Sequence, residues 1–309
     1  MSSDKPPVAL IAGPTASGKS ALALAFAERT GGVIVNADSA QVYRDLRVLS
    51  AAPSDLERKR VEHRLYGFRD AADPCSAADW AELARTEIAE LHAQGLLPIL
   101  VGGTGLYLRT LLDGIAPIPA IDTSVREDVR AAPVDENRRR LEQLDPEAAA
   151  RLHPSDRTRT ARALEVILST GRTLAGWQSA KAGGIGERIA LLPLLLLPPR
   201  DWLYRRCDSR FAGMVPDGGV KEVEALLARR LNPSLPVMRA IGVPELSSYI
   251  RGEVRLETAI AAGQQATRRY AKRQYTWFAH QPPPDWPRLG EALDGSTVAQ
   301  ALELLGAKA

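Results

Sequence analysis

Eight residues near the start of the chain, Gly13-Pro14-Thr15-Ala16-Ser17-Gly18-Lys19-Ser20, have the types and spacing of a loop that holds phosphate. Gly13 and Gly18 permit tight turns, so successive backbone N–H groups can point at one anion. Lys19 adds a full positive charge for the outer phosphates, and the Ser20 hydroxyl is placed to hold Mg²⁺. Further on, Asn36-Ala37-Asp38-Ser39 offers a carboxylate. Asp38 either faces whatever the loop holds or caps the next turn. A third stretch, Gly102-Gly103-Thr104-Gly105, lets backbone and a hydroxyl approach a ligand closely, as a second contact to phosphate or to a base. A loop protein that hydrolyses ATP normally carries an Asp at such a strand end to hold Mg²⁺ and orient water. Here glycines and a threonine stand instead.

These residues need elements to position them. Val8 to Ala12 is a short apolar run of strand type, and Ala21 to Arg29 is rich in Ala and Leu, so the glycine loop lies between a strand and a helix. Val33-Ile34-Val35 and Leu96 to Val101 read as further buried strands, and Ser76 to Asp79 as the cap of a helix running to about His92. If these strands are parallel, Asp38 and Thr104 leave the sheet on the same edge as the loop. Leu106 to Leu112 reads as a short helix, and Gly114, Pro117 and Pro119 then break the pattern. From Asp122 to about Gly176 every segment is helical in character, closing at a glycine-rich joint, Lys181 to Gly186. Ile189 to Leu197 resumes as a buried strand.

The expected fold is therefore α/β, with a parallel-sheet core like that of P-loop NTPases over residues 1–117 and 188–309. An all-helical domain is inserted at 118–187. Beyond the last core strand come helices at Asp201 to Met214 and Gly219 to Arg230, a turn at Met238 to Gly242, and a long helix from Leu256 to about Phe278. That helix holds Arg268, Arg269, Lys272 and Arg273 with Tyr270, Tyr275, Trp277 and Phe278 interleaved. Charge for phosphates and rings for base stacking are what an RNA groove needs. The segment after Pro282-Pro283-Pro284 is expected to be peripheral.

A chain of 309 residues has room for about two domains, and its 45% hydrophobic content supplies a sizeable core. The net charge of +3 is too small to indicate a nucleic-acid partner, so local charge must decide. Residues 118–187 carry eleven Lys plus Arg and eleven Asp plus Glu, yet their arginines cluster at 138–140 and at 157, 159 and 162. Cys75 and Cys207 are far apart and make neither a disulfide framework nor a cysteine zinc site. The N-terminus has no apolar signal core, and the longest apolar run has nine residues and contains Pro193. A cytoplasmic monomer without a membrane span is expected.

The loop, Asp38-Ser39-Ala40-Gln41-Val42-Tyr43, Ser76-Ala77-Ala78-Asp79 and Val101-Gly102-Gly103-Thr104-Gly105-Leu106-Tyr107 together resemble the bacterial tRNA dimethylallyltransferase family. The likeness continues through Asp145-Pro146, His153 to Asp156, Arg162 to Val166 and Ala271 to Trp277, in family order over nearly the whole chain. It implies transfer of a dimethylallyl group from its diphosphate to the exocyclic amine (N6) of the adenosine 3′ of the anticodon, with tRNA and dimethylallyl diphosphate as partners and Mg²⁺ at Ser20. It further implies Asp38 as general base, Thr104 as an active-site threonine and Arg206 as a diphosphate-binding arginine. Gly13 to Ser20 would hold the diphosphate. Asp38, Ser39, Ala40, Gln41, Thr104, Arg126, Thr158, Arg159, Thr160, Ala161, Arg162, Arg239, Gly242, Lys272 and Arg273 would contact tRNA.

Two departures stand out. The family's Gly-Thr-Ala-Lys-Pro is replaced by Leu49-Ser50-Ala51-Ala52-Pro53, which removes a lysine, and its Val-Gly-Tyr-Arg-Gln by Ile241 to Glu245. The zinc finger of eukaryotic relatives is absent from the sequence. Two other functions share parts of this pattern. A small-molecule kinase would use the loop for ATP and the helical insertion as a lid, and a non-catalytic or NTP-switched RNA-binding P-loop module is a further alternative, which the missing strand-end Asp weakens.

Overall fold

The computed structural model describes residues 5–306. Six strands form one all-parallel sheet in the order β3-β2-β4-β1-β5-β6. They are β1 Pro7–Ala12, β2 Val33–Asn36, β3 His63–Arg64, β4 Pro98–Gly102, β5 Ala190–Leu196 and β6 Arg288–Leu289. The chain runs to one side of β1 for β2, β3 and β4 and returns on the other side with β5 and β6. The carboxyl end of β1 is thus the point where ligands bind in open α/β sheets. Ala12 pairs in register with Gly102 on one side and Leu195 on the other, so the loop after β1 and the turn after β4 leave the sheet together.

Two compact units make up the chain, one of residues up to Leu111 with those from Gly186 onward, the other Leu112–Ile185. The sheet unit carries α1 Lys19–Thr30, α2 Asp55–Arg60, α3 Ala77–Ala93 and α4 Gly105–Asp113, the last running two residues into the second unit. The second unit consists of α5 Thr123–Ala131, α6 Val134–Leu144, α7 Pro146–Arg151, α8 Arg157–Thr170 and α9 Leu174–Gln178. The sheet unit then continues with α10 Arg200–Met214, α11 Val220–Ala228, α12 Val243–Ile250, α13 Leu256–His280 and α14 Gly295–Leu304.

Local chemistry explains these elements. The middle strands are continuous apolar runs because helices cover both faces of a parallel sheet, and Val8 to Ala12 are wholly buried. Gly31 ends α1 at φ 65°, a left-handed conformation in which glycine carries no Cβ penalty. Ser76 starts α3 through a full capping box, its hydroxyl accepting from the Asp79 N–H while Asp79 accepts from the Ser76 N–H. The turn after α10 is a π-type segment, Val215–Gly219, broken at Gly218 with φ 115°.

In the second unit, Val129, Leu141, Ala149, Ala163 and Leu164 form the core. Glu165, only 3% exposed, is compensated by Arg130 at 2.9 Å. The joint expected at Lys181 to Gly186 is not a free linker. Ala182 forms an antiparallel bridge with Ile115, two N–H···O bonds of 3.0 Å, and any Cβ on Gly114 would sit 2.4 Å from the Ala182 carbonyl oxygen.

The segment after the triple proline also departs from expectation. Its two-residue strand β6 closes the sheet edge beside β5, and α14 packs on α1, burying Ala301, Leu302 and Leu305 in the same core as Leu22 and Phe26. Each such leucine contributes roughly 1.5–3 kcal/mol of burial free energy. Leu293 also lies against Gly18 of the glycine loop.

Candidate active site

The site is built on the carboxyl edge of the sheet. Gly13 to Gly18 bridge β1 and α1, with Ala16 held at φ 65°. Gly18, at φ 97°, immediately precedes the helix, whose unpaired N-terminal N–H groups favour an anion. The Ser17 hydroxyl is buried with no hydrogen-bond partner among the described residues, an unsatisfied donor of the kind a phosphate oxygen would complete. Lys19 is buried, and its ammonium donates to the Pro14 carbonyl at 3.4 Å. Burial pulls its pKa down to about 8, with Arg210 adding to the fall and the Asp38 carboxylate opposing it. A cation made costly in this way gains most when an anionic ligand arrives.

Helix α10 closes over the loop. Arg206 donates through Nε to the Ala16 carbonyl at 3.1 Å, its guanidinium lying 4.7 Å from the Trp202 ring centre. One turn on, Arg210 donates to Thr15 Oγ1 at 2.9 Å, and burial lowers its pKa while Asp38 supports its charge. Arg210 was not among the expected site residues. Its i,i+4 spacing from Arg206 was the available signal.

Asp38 sits just beyond β2. Its carboxylate accepts from the Ala40 N–H at 3.0 Å, so it does cap the next turn while also facing the cavity. The turn is clamped by Asn36, which is fully buried. Asn36 accepts the Asp38 N–H at 2.8 Å and donates to the carbonyls of Asp38 at 3.0 Å and Leu65 at 2.9 Å. Trp80 in turn donates to the Asn36 carbonyl.

Thr104 meets Asp38's neighbour. Its hydroxyl accepts the Ser39 N–H at 2.9 Å and donates to Ser39 Oγ at 3.2 Å. Such closeness depends on Gly102, where a Cβ would lie 2.1 Å from the Ala37 carbonyl oxygen. Tyr270, on α13, lines the same cavity, and burial, followed by the Asp38 charge, raises the pKa of its hydroxyl.

Between these groups lies a cavity of 310 Å³. Thr15, Asp38, Ser39, Arg210, Arg239 and Arg273 line its polar side; Leu46, Leu49, Phe211, Met214, Val237 and Ile241 line an apolar wall. An anion at the loop end and a hydrocarbon along that wall would both be accommodated, with a carboxylate nearby.

The remaining predicted residues fall into three groups. Ala40 lines the cavity, while Gln41 turns its amide to the Ser50 and Ala51 carbonyls. Gly242, buried at φ 98°, packs under Leu49 and Phe211 and offers no side chain; Lys272 is exposed on α13, as is Arg273 where it borders the cavity. In the helical unit, Arg126, Thr158 and Arg159 are exposed and Arg162 is partly so. Ala161 packs against that unit's core, and Thr160 is 1% exposed, which withdraws it from any external partner.

The rings of α13 also differ from the sequence reading. Phe278 is buried, Trp277 covers Gly105, and Tyr275 donates to the Leu197 carbonyl under Arg200, so these three pack the fold instead of offering faces to bases.

Ser20 lies on the exposed side of α1 and borders a second cavity of 50 Å³ with Gln41 and Glu57. Hydroxyl, amide and carboxylate oxygens are the hard donors that Mg²⁺ takes. No group of three His, Cys, Asp or Glu is gathered to hold a metal among the described residues. The residues therefore fit a cation that shares its coordination with phosphate oxygens of a ligand.

The sequence profile of IPP transferase matches residues 41–281. The chain belongs to the IPP transferase family. The profile match begins after the loop and Asp38, but relatives extend across both. A tRNA dimethylallyltransferase from Erythrobacter litoralis is 63% identical over 291 residues, covering 93% of this chain and 92% of its own. Among solved structures, the full-length tRNA isopentenylpyrophosphate transferase of Bacillus halodurans is 32% identical with a TM-score of 0.68 and 98% coverage of both chains. A eukaryotic dimethylallyltransferase acting on tRNA has a TM-score of 0.82 at 26% identity, covering 96% of this chain and 76% of its own. As in these IPP transferase relatives, the core of the present family member is a P-loop-like parallel sheet.

Proposed function

We propose that the protein transfers a dimethylallyl group from dimethylallyl diphosphate to N6 of the adenosine 3′ of the anticodon in tRNA, releasing diphosphate. The observation that carries this reading beyond family membership is the make-up of the 310 Å³ cavity, which Thr15 of the loop, Arg210 and the Asp38 carboxylate line together with an apolar wall that includes Leu49, Phe211 and Met214. A third phosphate would gain nothing from that wall. An isoprenoid tail gains roughly 0.8 kcal/mol for each methylene-sized group it buries.

In this reading the loop amides, Lys19, Arg206 and Arg210 hold the diphosphate and stabilise the charge it gathers as the allylic C–O bond breaks. The adenine amine is a weak nucleophile because its lone pair is delocalised into the ring. Asp38 takes its proton as the N6–carbon bond forms, a role worth roughly 10²–10⁴-fold in rate. The electron pair of the broken bond leaves with diphosphate. Thr104 fixes the Asp38 turn through Ser39. Mg²⁺ at Ser20 would supply further positive charge to the diphosphate. The target base must leave its stack to reach the cavity, and a single-stranded loop lowers that cost. Arg239, Lys272 and Arg273 are disposed to meet RNA phosphates, and the helical unit is assigned to the anticodon stem-loop. No helix among the described residues is long and apolar enough to cross a membrane; the reaction belongs where tRNA is, in the cytoplasm.

The test is incubation of the protein with ¹⁴C-labelled dimethylallyl diphosphate, Mg²⁺ and an anticodon stem-loop bearing adenosine 3′ of the anticodon. Label should appear in one modified nucleoside after digestion, and none when that adenosine is replaced by guanosine. Stabilisation by ATP but not by the allylic diphosphate, with no label in RNA, would instead favour a kinase.

A further inference from the structure

Gln274 lies in the middle of α13, 5% exposed, and its two amide ends are both taken by backbone of the site. Oε1 accepts the Thr15 N–H of the phosphate loop at 2.8 Å; Nε2 donates to the Gly103 carbonyl of the turn after β4 at 2.8 Å. A backbone donor on one side and a backbone acceptor on the other admit only one orientation of the amide, and only an amide serves both at once. Gly103 is shaped for it, since a Cβ there would stand 2.3 Å from Nε2. The Gly103 turn leads directly to Thr104, whose hydroxyl holds Ser39 next to Asp38.

We infer that Gln274 is a positioning residue that sets the phosphate loop at a fixed distance from the Thr104–Asp38 side of the site, and so aligns the donor's reactive carbon with the amine. This rests on the transferase reading above. Gln274 does not border the cavity and contacts no reacting atom; it acts through Thr15 on one side and Gly103 on the other. Among the groups assigned to the diphosphate, Gln274 occupies only the Thr15 N–H; Lys19, Arg206, Arg210 and the amides at the start of α1 make their hydrogen bonds without it. Binding and alignment are therefore separable, and alignment is the more sensitive, since a displacement of about 1 Å can cost on the order of 100-fold in rate. Burial among backbone groups also explains why α13 tolerates an amide in a face otherwise made of Gly263, Thr267, Ala271 and Phe278.

The experiment compares the parent with Gln274→Met, which keeps the length and volume of the side chain and removes both hydrogen bonds, and with Gly103→Ala. Donor affinity, the single-turnover rate of transfer to the stem-loop and the melting temperature are measured for each. Gln274→Met should slow the chemical step by about 10- to 100-fold while donor affinity stays within about twofold. Gly103→Ala should show the same split, because its methyl group displaces the amide. In a cycle of Gly103→Ala, Gln274→Ala and their double variant, the double variant lacks the clash with the amide, so the effects of the two single variants should fall well short of additive. Equal rates for Gln274→Met and parent would overturn the inference, as would a loss of donor affinity matching the loss of rate. Should the parent itself transfer nothing, the functional reading fails and this inference with it; a transferring parent beside an unimpaired Gln274→Met variant fails the inference alone.

Discussion

Lys19 is held in the ligand-free site at a cost, and that cost has a measurable signature. The unfolded chain keeps its proton up to about 10.5, whereas the folded protein releases it near 8. Between those values the unfolded state binds more protons, so stability rises with pH across the window and carries the full penalty below it. Lys19→Met should therefore melt at a higher temperature than the parent below pH 8 in the absence of ligand, and the difference should shrink as pH rises toward 10.5. The same substitution should weaken binding of the allylic diphosphate, and the parent's own affinity should fall as pH rises through about 8 while the variant's does not. Thermal melts and ligand titrations on either side of that pH check both halves. Asp38→Asn separates chemistry from binding in another way. The amide keeps the shape and the Ala40 contact but cannot take the amine proton, so single-turnover transfer should fall by roughly 10²–10⁴-fold with both substrates still bound. Wild-type transfer by this variant would move the base elsewhere. Loop and carboxylate were legible in the sequence because strand, glycines and helix lie within a few residues of each other. Asn36, Arg210 and Gln274 were not, because their partners are distant in the chain and only the folded backbone brings an amide 259 positions along onto Thr15.

At the scale of elements, the wall of the cavity depends on a carboxylate far from the chemistry. Glu222 on α11 accepts three successive backbone N–H groups, from Arg47, from Val48 at 2.8 Å and from Leu49 at 2.9 Å. It thereby holds the segment that presents Leu46 and Leu49 to the cavity. Arg229, one helical end away, ties Asp45 and Asp70 together at 2.5 Å each. Hydrogen bonds to a charged acceptor are worth roughly 1.5–3 kcal/mol net, so Glu222→Ala should lower the unfolding free energy by about that much, seen as a lower urea midpoint at unchanged m-value. Glu222→Gln, which keeps an oxygen acceptor, should recover part of it. Equilibrium urea unfolding of the three proteins reads this directly. Sequence reasoning found the long elements, whose apolar periodicity is strong, and missed α2, β3, α12 and the pair β6 and α14. Two-residue strands have no period to read, and α12 begins at Gly242-Val243-Pro244, which reads as a turn. The tail's role was hidden for a related reason: Leu289, Ala301, Leu302 and Leu305 join the same core as Leu22 and Phe26 of α1, partners far away in the chain that no local pattern reveals.

For the whole molecule, the sequence division into a sheet and an all-helical stretch was visible because periodicity changes from strand to helix type and back, but neither charge total nor helix content says what the helical unit grips. Its arginines supply the test. Arg159, whose side chain is 76% exposed, is only loosely held by Asp156 at 3.6 Å, and Arg162, 42% exposed, stands 3.7 Å from Glu165. Glu165 is already satisfied by Arg130, so removing Arg162 leaves no buried carboxylate alone, and helix α8 keeps its Asp156 cap through the Arg159 N–H. The double variant Arg159→Ala/Arg162→Ala should consequently fold as the parent does. If both side chains neutralise backbone phosphates of an anticodon stem-loop, each releases about one counterion, and the slope of log affinity against log salt should become shallower by roughly one to two units. Donor affinity should be unchanged, because nothing in this pair touches the phosphate loop. Arginines that closed over a nucleotide would instead weaken ATP binding when replaced and leave any RNA slope alone. Titrations of labelled stem-loop at several salt concentrations, set beside titrations of each small ligand, distinguish these outcomes, and an unaltered RNA slope would remove α8 from the tRNA-binding surface.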